Sequence, residues 1–155
     1  MGEVFSVNLS SRKGISKSPA KEAFIREECG LEGDAHYGFQ HRQVSLLSLE
    51  DIEKQNFRLE RDGFTSFRLK PGDFAENITT RGIELFSLTI GDRLRVGSGV
   101  ILEVTQIGKE CHDLCEISKK IGKCIMPKKG IFAKVLKGGQ VKEGDPISLL
   151  KADKK

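Results

Sequence analysis

Glycine constrains this chain more than any other residue, because it supplies 17 of the 155 positions, about 11% against roughly 7% in typical proteins. Glycine destabilises helix interiors and favours tight turns, so this content argues against a helical bundle and predicts many short strands. Gly-Asp dipeptides recur at 33–34, 72–73, 91–92 and 144–145. We interpret these dipeptides as turns that lead into strands.

Alternation of apolar and polar residues predicts strands along most of the chain. Residues Phe5 to Leu9 alternate in this way, and residues 92–107 form two alternating runs around a glycine turn, which is typical of a β-hairpin. Further strands are predicted at 20–28, 44–47, 131–136 and 146–150. Many short strands with few helices favour a mainly β fold, a closed or nearly closed β-barrel, because closure removes exposed sheet edges.

Two short helices are predicted among these strands. Ser48 is a suitable N-cap for a helix over 49–56. A second helix is predicted over 111–121, where apolar residues recur at helical spacing before a glycine. No linker or change of composition divides the chain, so we predict one domain over 1–150 and a basic tail over 151–155.

The charge distribution favours a small anion as ligand. The net charge is +4, but residues 101–155 hold 12 lysines and 7 acidic residues, a local excess of +5. Phe132 is the only aromatic residue after position 86, whereas nucleic-acid binders interleave basic and aromatic residues. We therefore expect a phosphate or similar group and no nucleic acid, with a solvated lysine surface as the alternative.

The sequence also predicts where the protein works. No apolar run approaches the roughly 20 residues of a membrane-spanning helix, and the first residues do not match a secretory signal. We therefore expect a protein without a membrane partner in the reducing cytoplasm, where disulfides are rare.

Three of the four cysteines lie within 14 residues, in the lysine-rich part of the chain. Cys111 begins the predicted second helix beside Lys109 and His112, and these features favour the thiolate, the form that attacks sulfur or binds metal. Cys115 lies one helical turn further on, and Cys124 lies in a loop between lysines. Cys111 is thus the best candidate for a nucleophile or metal ligand. Structural zinc, which the spacing matches poorly, and inert buried cysteines stay open as alternatives.

A glycine-rich segment at 31–38 is the second candidate for chemistry. It contains Gly33, Asp34 and His36, and Arg42 follows shortly after. Backbone donors and a guanidinium suit an anionic ligand. The alternative is a tight turn in which Asp34 caps backbone amides.

A third segment, residues 72–80, contains Glu76 and Asn77. These side chains could bind amide or hydroxyl groups of a ligand, or they could hold their own loop in place. The sequence has no phosphate-binding Walker loop, no dinucleotide-binding glycine motif after a strand and no nucleophile elbow. Phosphoryl transfer, nicotinamide chemistry and serine hydrolysis therefore have no support.

Together these segments resemble the MOSC domain, a family named for the C-terminal domain of molybdenum-cofactor sulfurase. The resemblance covers nearly the whole chain. It rests on GLEGDAHYG at 30–38, RQVS at 42–45, GDFAENIT at 72–79 and the segment around Cys111. The segments CIMP at 124–127 and GIFA at 130–133 are similar to those of short, stand-alone bacterial members.

The resemblance implies a mixed, strand-rich β-barrel associated with a molybdenum or tungsten pterin cofactor. It implies that Cys111 is the catalytic cysteine, which carries sulfur as a persulfide or binds the metal directly, in keeping with the preference of thiolates for soft metals. The basic last third would then contact the phosphate of the pterin. The residues expected to bind the cofactor are Gly33, Asp34, His36, Arg42, Glu76, Asn77, Cys115 and Cys124.

The function implied is that of a cofactor-binding and sulfur-carrier module in cofactor sulfuration or delivery, and whether it is itself an enzyme stays open. Since the chain has no desulfurase domain, its expected partners are a cysteine desulfurase or other sulfur donor and a molybdenum or tungsten enzyme as acceptor. One alternative is a small molybdoenzyme that reduces N-hydroxylated compounds, although Gly108-Lys109-Glu110 replaces the Arg and Pro frequent before the cysteine of such members. Another is a non-catalytic domain with zinc or inert cysteines. Ala75 also departs from the family pattern, because many members have glycine there.

Overall fold

The computed structural model describes residues 2–10, 17–34, 37–38, 43–63, 68–108 and 130–150. Within these residues the strands are β1 (Gly2–Leu9), β2 (Ser18–Pro19), β3 (Glu22–Arg26), β4 (Gly30–Leu31), β5 (Val44–Ser48), β6 (Ile78–Arg81), β7 (Arg93–Val96), β8 (Val100–Ile107), β9 (Ile131–Lys137), β10 (Gly139–Lys142) and β11 (Pro146–Leu150). One helix, α1 (Leu49–Arg61), and a single 3-10 turn at Leu85–Ser87 complete these elements. The mainly β composition is confirmed.

Seven strands close into a barrel in the order β1-β11-β7-β8-β9-β5-β6, and β6 pairs again with β1. β5 and β6 run parallel while the other neighbours are antiparallel, so the predicted mixed barrel is confirmed. Closure depends on a short pairing of β1 with β11, in which Gly2 faces Ile147 and Glu3 faces Pro146. β2 extends the sheet beside β1, and β10, β3 and β4 form a small second sheet.

Alternation along the barrel strands separates two apolar layers. Side chains such as Val44 and Leu46 of β5 belong to the main core, together with apolar residues of the other six barrel strands. Leu47 of β5 and Phe132 of β9 have the opposite parity and belong to a second cluster with Ile52 of α1. The helix therefore packs on the outer face of the barrel wall, beside β5.

The helix begins as predicted and ends later. Ser48 caps it, since its Oγ accepts a hydrogen bond from the backbone N–H of Asp51 at 3.1 Å. The predicted end near Asn56 is wrong, because the apolar face continues through the buried Leu59. Asn56 is itself buried, where its side chain exchanges two hydrogen bonds with the backbone of Leu69, at 2.9 and 2.7 Å.

Other sequence predictions differ in detail from the structure. The hairpin is confirmed as β7 and β8, with Val96 paired to Val100. The strand predicted over 20–28 is shorter in the structure, where β3 covers Glu22–Arg26. The second predicted helix, over 111–121, lies outside the described residues. Within the part of the chain that the structure describes, no helix is both long and apolar enough to cross a membrane.

Candidate functional site

Buried polar side chains gather where two of the predicted site segments meet the barrel wall. Ser45, Asn77 and Thr79 alternate along the chain with core residues such as Leu46, so they face outward from the barrel. Loop residues cover them. We call the whole group the polar cluster; its members, each at most 9% exposed, are Ser6, Asn8, Ser10, Lys17, Asp34, Ser45, Glu76, Asn77 and Thr79.

A buried ion pair joins Lys17 to Asp34. The two side chains are 0% and 1% exposed, and Lys17 Nζ lies 2.8 Å from Asp34 Oδ1. The same Nζ donates to Ser10 Oγ at 3.0 Å, and the backbone N–H of Ser10 donates to Asp34 Oδ1 at 3.1 Å. Burial of either charge alone would be costly, so each requires the other.

The backbone of Lys17 meets the predicted segment 72–80 at Gly72. The N–H of Lys17 donates to the carbonyl oxygen of Gly72 at 2.7 Å. A Cβ atom on Gly72 would lie 2.2 Å from the carbonyl oxygen of Lys17, and the φ of Gly72 is +91°, so this position requires glycine. Lys17 therefore connects the segment that contains Asp34 to the segment that contains Glu76.

Glu76 is a fully buried carboxyl group in this cluster. Its Oε2 accepts hydrogen bonds from the backbone N–H of Gly72 at 3.0 Å and from Thr79 Oγ1 at 2.6 Å. Among the residues that the structure describes, its Oε1 has no hydrogen-bond partner. Burial raises the pKa of Glu76 to about 7, because removal from water disfavours the charged form more than the two hydrogen bonds stabilise it. The group can therefore change its charge near neutral pH.

Asn77 holds three strands together. Its Oδ1 accepts from the backbone N–H of Ser45 at 3.0 Å, and its Nδ2 donates to the carbonyl oxygen of Asn8 at 3.3 Å.

Ala75, two residues before Asn77, has a φ of +65°, which lies in the left-handed region that favours glycine. The position where many MOSC domains have glycine is therefore one where the backbone favours it.

The glycine turn, defined as residues 29–38, is fixed by backbone hydrogen bonds in its described part. The N–H of Tyr37 donates to the Asp34 carbonyl at 3.1 Å, and the N–H of Gly38 donates to the Cys29 carbonyl at 2.8 Å. Gly33 is exposed, with a φ of +85°, and no atom of the described part of the chain lies within 4 Å of where a Cβ would be. A ligand could therefore approach the backbone of this turn closely.

The cysteine-bearing connection between β8 and β9 starts and ends on the same wall. The N–H of Gly108 donates to the Gly130 carbonyl at 2.7 Å, which joins the two ends of residues 109–129. Two residues after Gly130, Phe132 pairs with Ser45, the partner of Asn77. Neighbouring strand residues are about 3.3 Å apart, so Gly130, where the connection ends, lies about 7 Å along β9 from Phe132 in the row of Ser45.

The predicted site residues thus divide into two groups. Asp34, Glu76 and Asn77 meet in the polar cluster, where their observed contacts hold loops and strands together, as the alternative interpretations proposed. Gly33 lies beside them on the surface. The remaining predicted residues, His36, Arg42, Cys111, Cys115 and Cys124, lie outside the described residues. Contact of any of these side chains with a cofactor stays a prediction.

Sequence reasoning missed Lys17, which connects the two segments. It lies in a polar stretch without periodicity, and its partners are 17 and 55 positions further along the chain. The stretch is distinguished only by two lysines around Gly14 and by the following Pro19. Neither feature predicts that a lysine side chain will be buried.

A model of the MOSC domain family matches residues 32–148, which include Asp34, the segment with Glu76 and all three clustered cysteines. The chain belongs to the MOSC domain family. A search of curated proteins finds no match to this MOSC domain.

Solved structures agree with this assignment in fold. The chain is similar to YuaD from Bacillus subtilis, with a TM-score of 0.79 and 19% identity over 98% of this chain and 97% of YuaD. It is similar to YiiM from Geobacillus stearothermophilus, with a TM-score of 0.71 and 20% identity over 97% of this chain and 76% of that one. YiiM from Escherichia coli gives a TM-score of 0.71 and 20% identity over 100% and 72% of the two chains. At these identities the similarity shows the shared fold.

The MOSC family is associated with the molybdenum cofactor, so the described residues can be tested for fit to that group. Within the described part, no group of three or more His, Cys, Asp or Glu side chains is arranged to hold a metal ion. A pocket at the start of α1 does not suit a phosphate, because Glu50, Asp51 and Glu84 line it against one ammonium, Lys54. The turn at Gly33 leaves its backbone open to a ligand, and the buried ion pair of Lys17 with Asp34 anchors it.

Proposed function

We propose that this MOSC domain binds a molybdenum or tungsten pterin cofactor and carries sulfur for its sulfuration or delivery. The observation that carries the proposal is the junction of two family segments at Lys17, with an open glycine turn beside them. The family segment with Cys111 belongs to the connection between β8 and β9, which ends at Gly130, two residues before the Phe132 that pairs with Ser45. The proposal requires Cys111 to reach the side of the barrel wall on which the other two segments meet.

Each part of the site has a proposed task. The backbone of Gly33, with His36 and Arg42, would hold the anionic part of the cofactor, and Cys111 would hold the metal or the transferred sulfur. The cofactor, when bound, supplies a molybdenum–sulfur or tungsten–sulfur centre, for which a thiolate is a suitable soft ligand. Asp34, Glu76 and Asn77 would act from beneath by fixing the loops.

Sulfur transfer to Cys111 needs no external oxidant. The Cys111 thiol loses its proton, and the thiolate attacks the outer sulfur of a persulfide on a donor such as a cysteine desulfurase. A new sulfur–sulfur bond forms on Cys111 while the bond in the donor breaks, and the donor cysteine leaves as a thiolate that takes up a proton. The acceptor would be a molybdenum or tungsten enzyme, in a cytoplasm reducing enough to keep the thiol available.

The test is to purify the protein from a host that makes the cofactor and to measure bound metal, pterin and cysteine persulfide. We expect pterin with molybdenum or tungsten, and a gain of one sulfur atom on Cys111 by mass spectrometry. Cys111→Ser should lose the persulfide, whereas the matched control Cys29→Ser should keep it. Zinc without pterin, or cofactor-dependent reduction of N-hydroxylated compounds, would contradict the proposal in favour of a structural or a reductase role.

A further inference from the structure

We infer that Lys17 is a positioning residue for the cofactor site, an inference that rests on the proposed function. Its ammonium group, held by Asp34, fixes the glycine turn against the loop that contains Gly72 and Glu76. Lys17 would not contact the cofactor itself, since its side chain is fully buried. It would set the place of the Gly33 backbone, which is exposed.

The first step of the argument is the direction of the contacts. One ammonium group donates both to Asp34, in the glycine turn, and to Ser10, just after β1. The same Asp34 oxygen also accepts a hydrogen bond from the backbone N–H of Ser10. This one carboxylate oxygen therefore joins the glycine turn to the end of β1. The carbonyl oxygen of Asp34 accepts a hydrogen bond from the N–H of Tyr37, so Asp34 also holds Tyr37.

The second step concerns the other loop. The Lys17 backbone touches Gly72 so closely that no side chain fits there, and the Gly72 N–H donates to Glu76. Lys17 therefore fixes one loop with its side chain and the other with its backbone.

The third step is energetic. A buried ion pair contributes little net stability, because the loss of hydration offsets the attraction, and an uncharged pair of similar volume can be equally stable. An uncharged pair does not, however, hold the side chain at position 34 in one place as the ion pair holds the Asp34 carboxylate. A structural role and a positioning role therefore predict different results when both charges are removed together.

The test compares three proteins: the single variant Lys17→Met, the double variant Lys17→Met with Asp34→Asn, and a control double variant Lys134→Met with Glu103→Gln. The asparagine keeps an Oδ1 acceptor for Ser10. The control removes two more exposed ion pairs from the barrel wall, those of Glu103 with Lys134 at 3.5 Å and with Arg93 at 3.3 Å. Melting temperature, hydrogen exchange and retained pterin and metal are measured for each.

Lys17→Met removes the ammonium partner of a buried carboxylate and should lower the melting temperature by about 10 °C. The double variant should melt within about 5 °C of the parent, while amide exchange in residues 29–38 rises about tenfold or more and exchange in β8 and β9 is unchanged. It should also retain at least about tenfold less pterin and metal than the parent. The control should match the parent in all three measurements.

Each other result has a definite meaning. If amide exchange in residues 29–38 of the double variant is unchanged, the inference is overturned. It is also overturned if exchange in the turn rises but the pterin content of the double variant stays normal. The second result leaves the proposed function standing. If the parent protein itself holds no pterin, the proposed function fails. The inference then fails with it, because there is no cofactor site to position. The exchange result would still show whether Lys17 fixes the turn.

Discussion

Four hydrogen bonds join Ser45 to Asn77, and together they fix the start of β6 against β5. The N–H and Oγ of Ser45 donate to Asn77 Oδ1 at 3.0 and 3.2 Å, and the N–H of Asn77 donates to both the Oγ and the carbonyl oxygen of Ser45 at 3.0 Å. Parallel neighbours such as β5 and β6 cannot be joined by a tight turn, so their register depends on contacts of this kind.

Replacement of Asn77 should therefore be costly. Asn77→Ala leaves the Ser45 N–H and the Asn8 carbonyl without these partners in a buried place, so we expect a loss of about 2 to 4 kcal/mol in the free energy of unfolding. Urea denaturation measures this change. The control Gln140→Ala, which removes an exposed contact to Glu22, should change stability by no more than about 0.5 kcal/mol. Equal effects of the two substitutions would contradict this role for Asn77.

Ala75→Gly should stabilise the protein. The φ of +65° costs an alanine about 1 to 2 kcal/mol, and the greater freedom of glycine in the unfolded chain offsets part of the gain. We expect a net increase of about 0.5 to 1 kcal/mol in the free energy of unfolding. The same change at Ala133, in the buried strand β9, should instead reduce stability. A destabilised Ala75→Gly protein would show that the left-handed backbone is not the main cost at this position.

Gly72→Ala should be much more harmful than the same change at Gly144. Both glycines have a φ of about +90°, but only Gly72 has a backbone atom where the new Cβ would lie. The positive φ alone costs about 1 to 2 kcal/mol, and the contact with Lys17 should add at least about 2 kcal/mol at Gly72. Thermal unfolding of the two variants compares them directly. Similar melting temperatures would mean that Lys17 and Gly72 do not pack as described.

Glu76 should make stability fall as pH rises toward neutrality. Its pKa is raised from 4.5 to about 7 in the folded state. Below pH 4.5 the group is protonated in both states, and between pH 4.5 and 7 the unfolded chain alone ionises, which favours unfolding. The stability contribution of the neutral acid, up to about 3 kcal/mol, is lost as pH rises to 7 and the loss levels off above it.

Glu76→Gln isolates this effect, because glutamine keeps an acceptor for Gly72 and Thr79 and cannot ionise. Urea denaturation from pH 5 to pH 8 should show a decline in the parent that is reduced in the variant, so that the variant is the more stable protein at pH 8. Parallel pH profiles for parent and variant would refute the assignment of the decline to Glu76.

Cys111 should be the first cysteine to be alkylated as pH is raised from acidic values. The sequence predicts a helix N-terminus at Cys111 beside Lys109, which would favour its thiolate, and predicts Cys115 one turn further from that end. Cys124, between lysines, is the main competitor. Mass spectrometry of each cysteine after brief iodoacetamide treatment at a series of pH values gives the order. Faster labelling of Cys124 at low pH would transfer the proposed role to that residue.

Local patterns in the sequence predicted most of the barrel. Ser48 before an acidic turn predicted the helix start, and alternation around residues 97–99 predicted the β7–β8 hairpin, since both depend on neighbouring residues. The helix end was missed at Asn56 because a polar residue in the middle of a chain segment gives no sign that it will bond to Leu69.

The candidate site could be predicted only in part. Gly33, Asp34, Glu76 and Asn77 belong to family segments, so resemblance identified them, but resemblance does not distinguish a side chain that touches a ligand from one that holds a loop. Lys17 was missed because burial of a lysine depends on a carboxylate that only the fold brings near. Contacts between residues far apart in the sequence leave no periodic pattern, so the sequence alone could not predict them.

The pairing of β1 with β11 has a consequence for synthesis of the protein in the cell. The barrel closes only when Pro146 and Ile147 reach Gly2 and Glu3, so a ribosome must add about 140 residues after β1 before closure is possible. At roughly 5 to 20 residues per second this takes roughly 7 to 30 s, during which the unpaired edge of β1 is open to other chains. Nascent chains of this protein should therefore depend on chaperones that shield strand edges during translation.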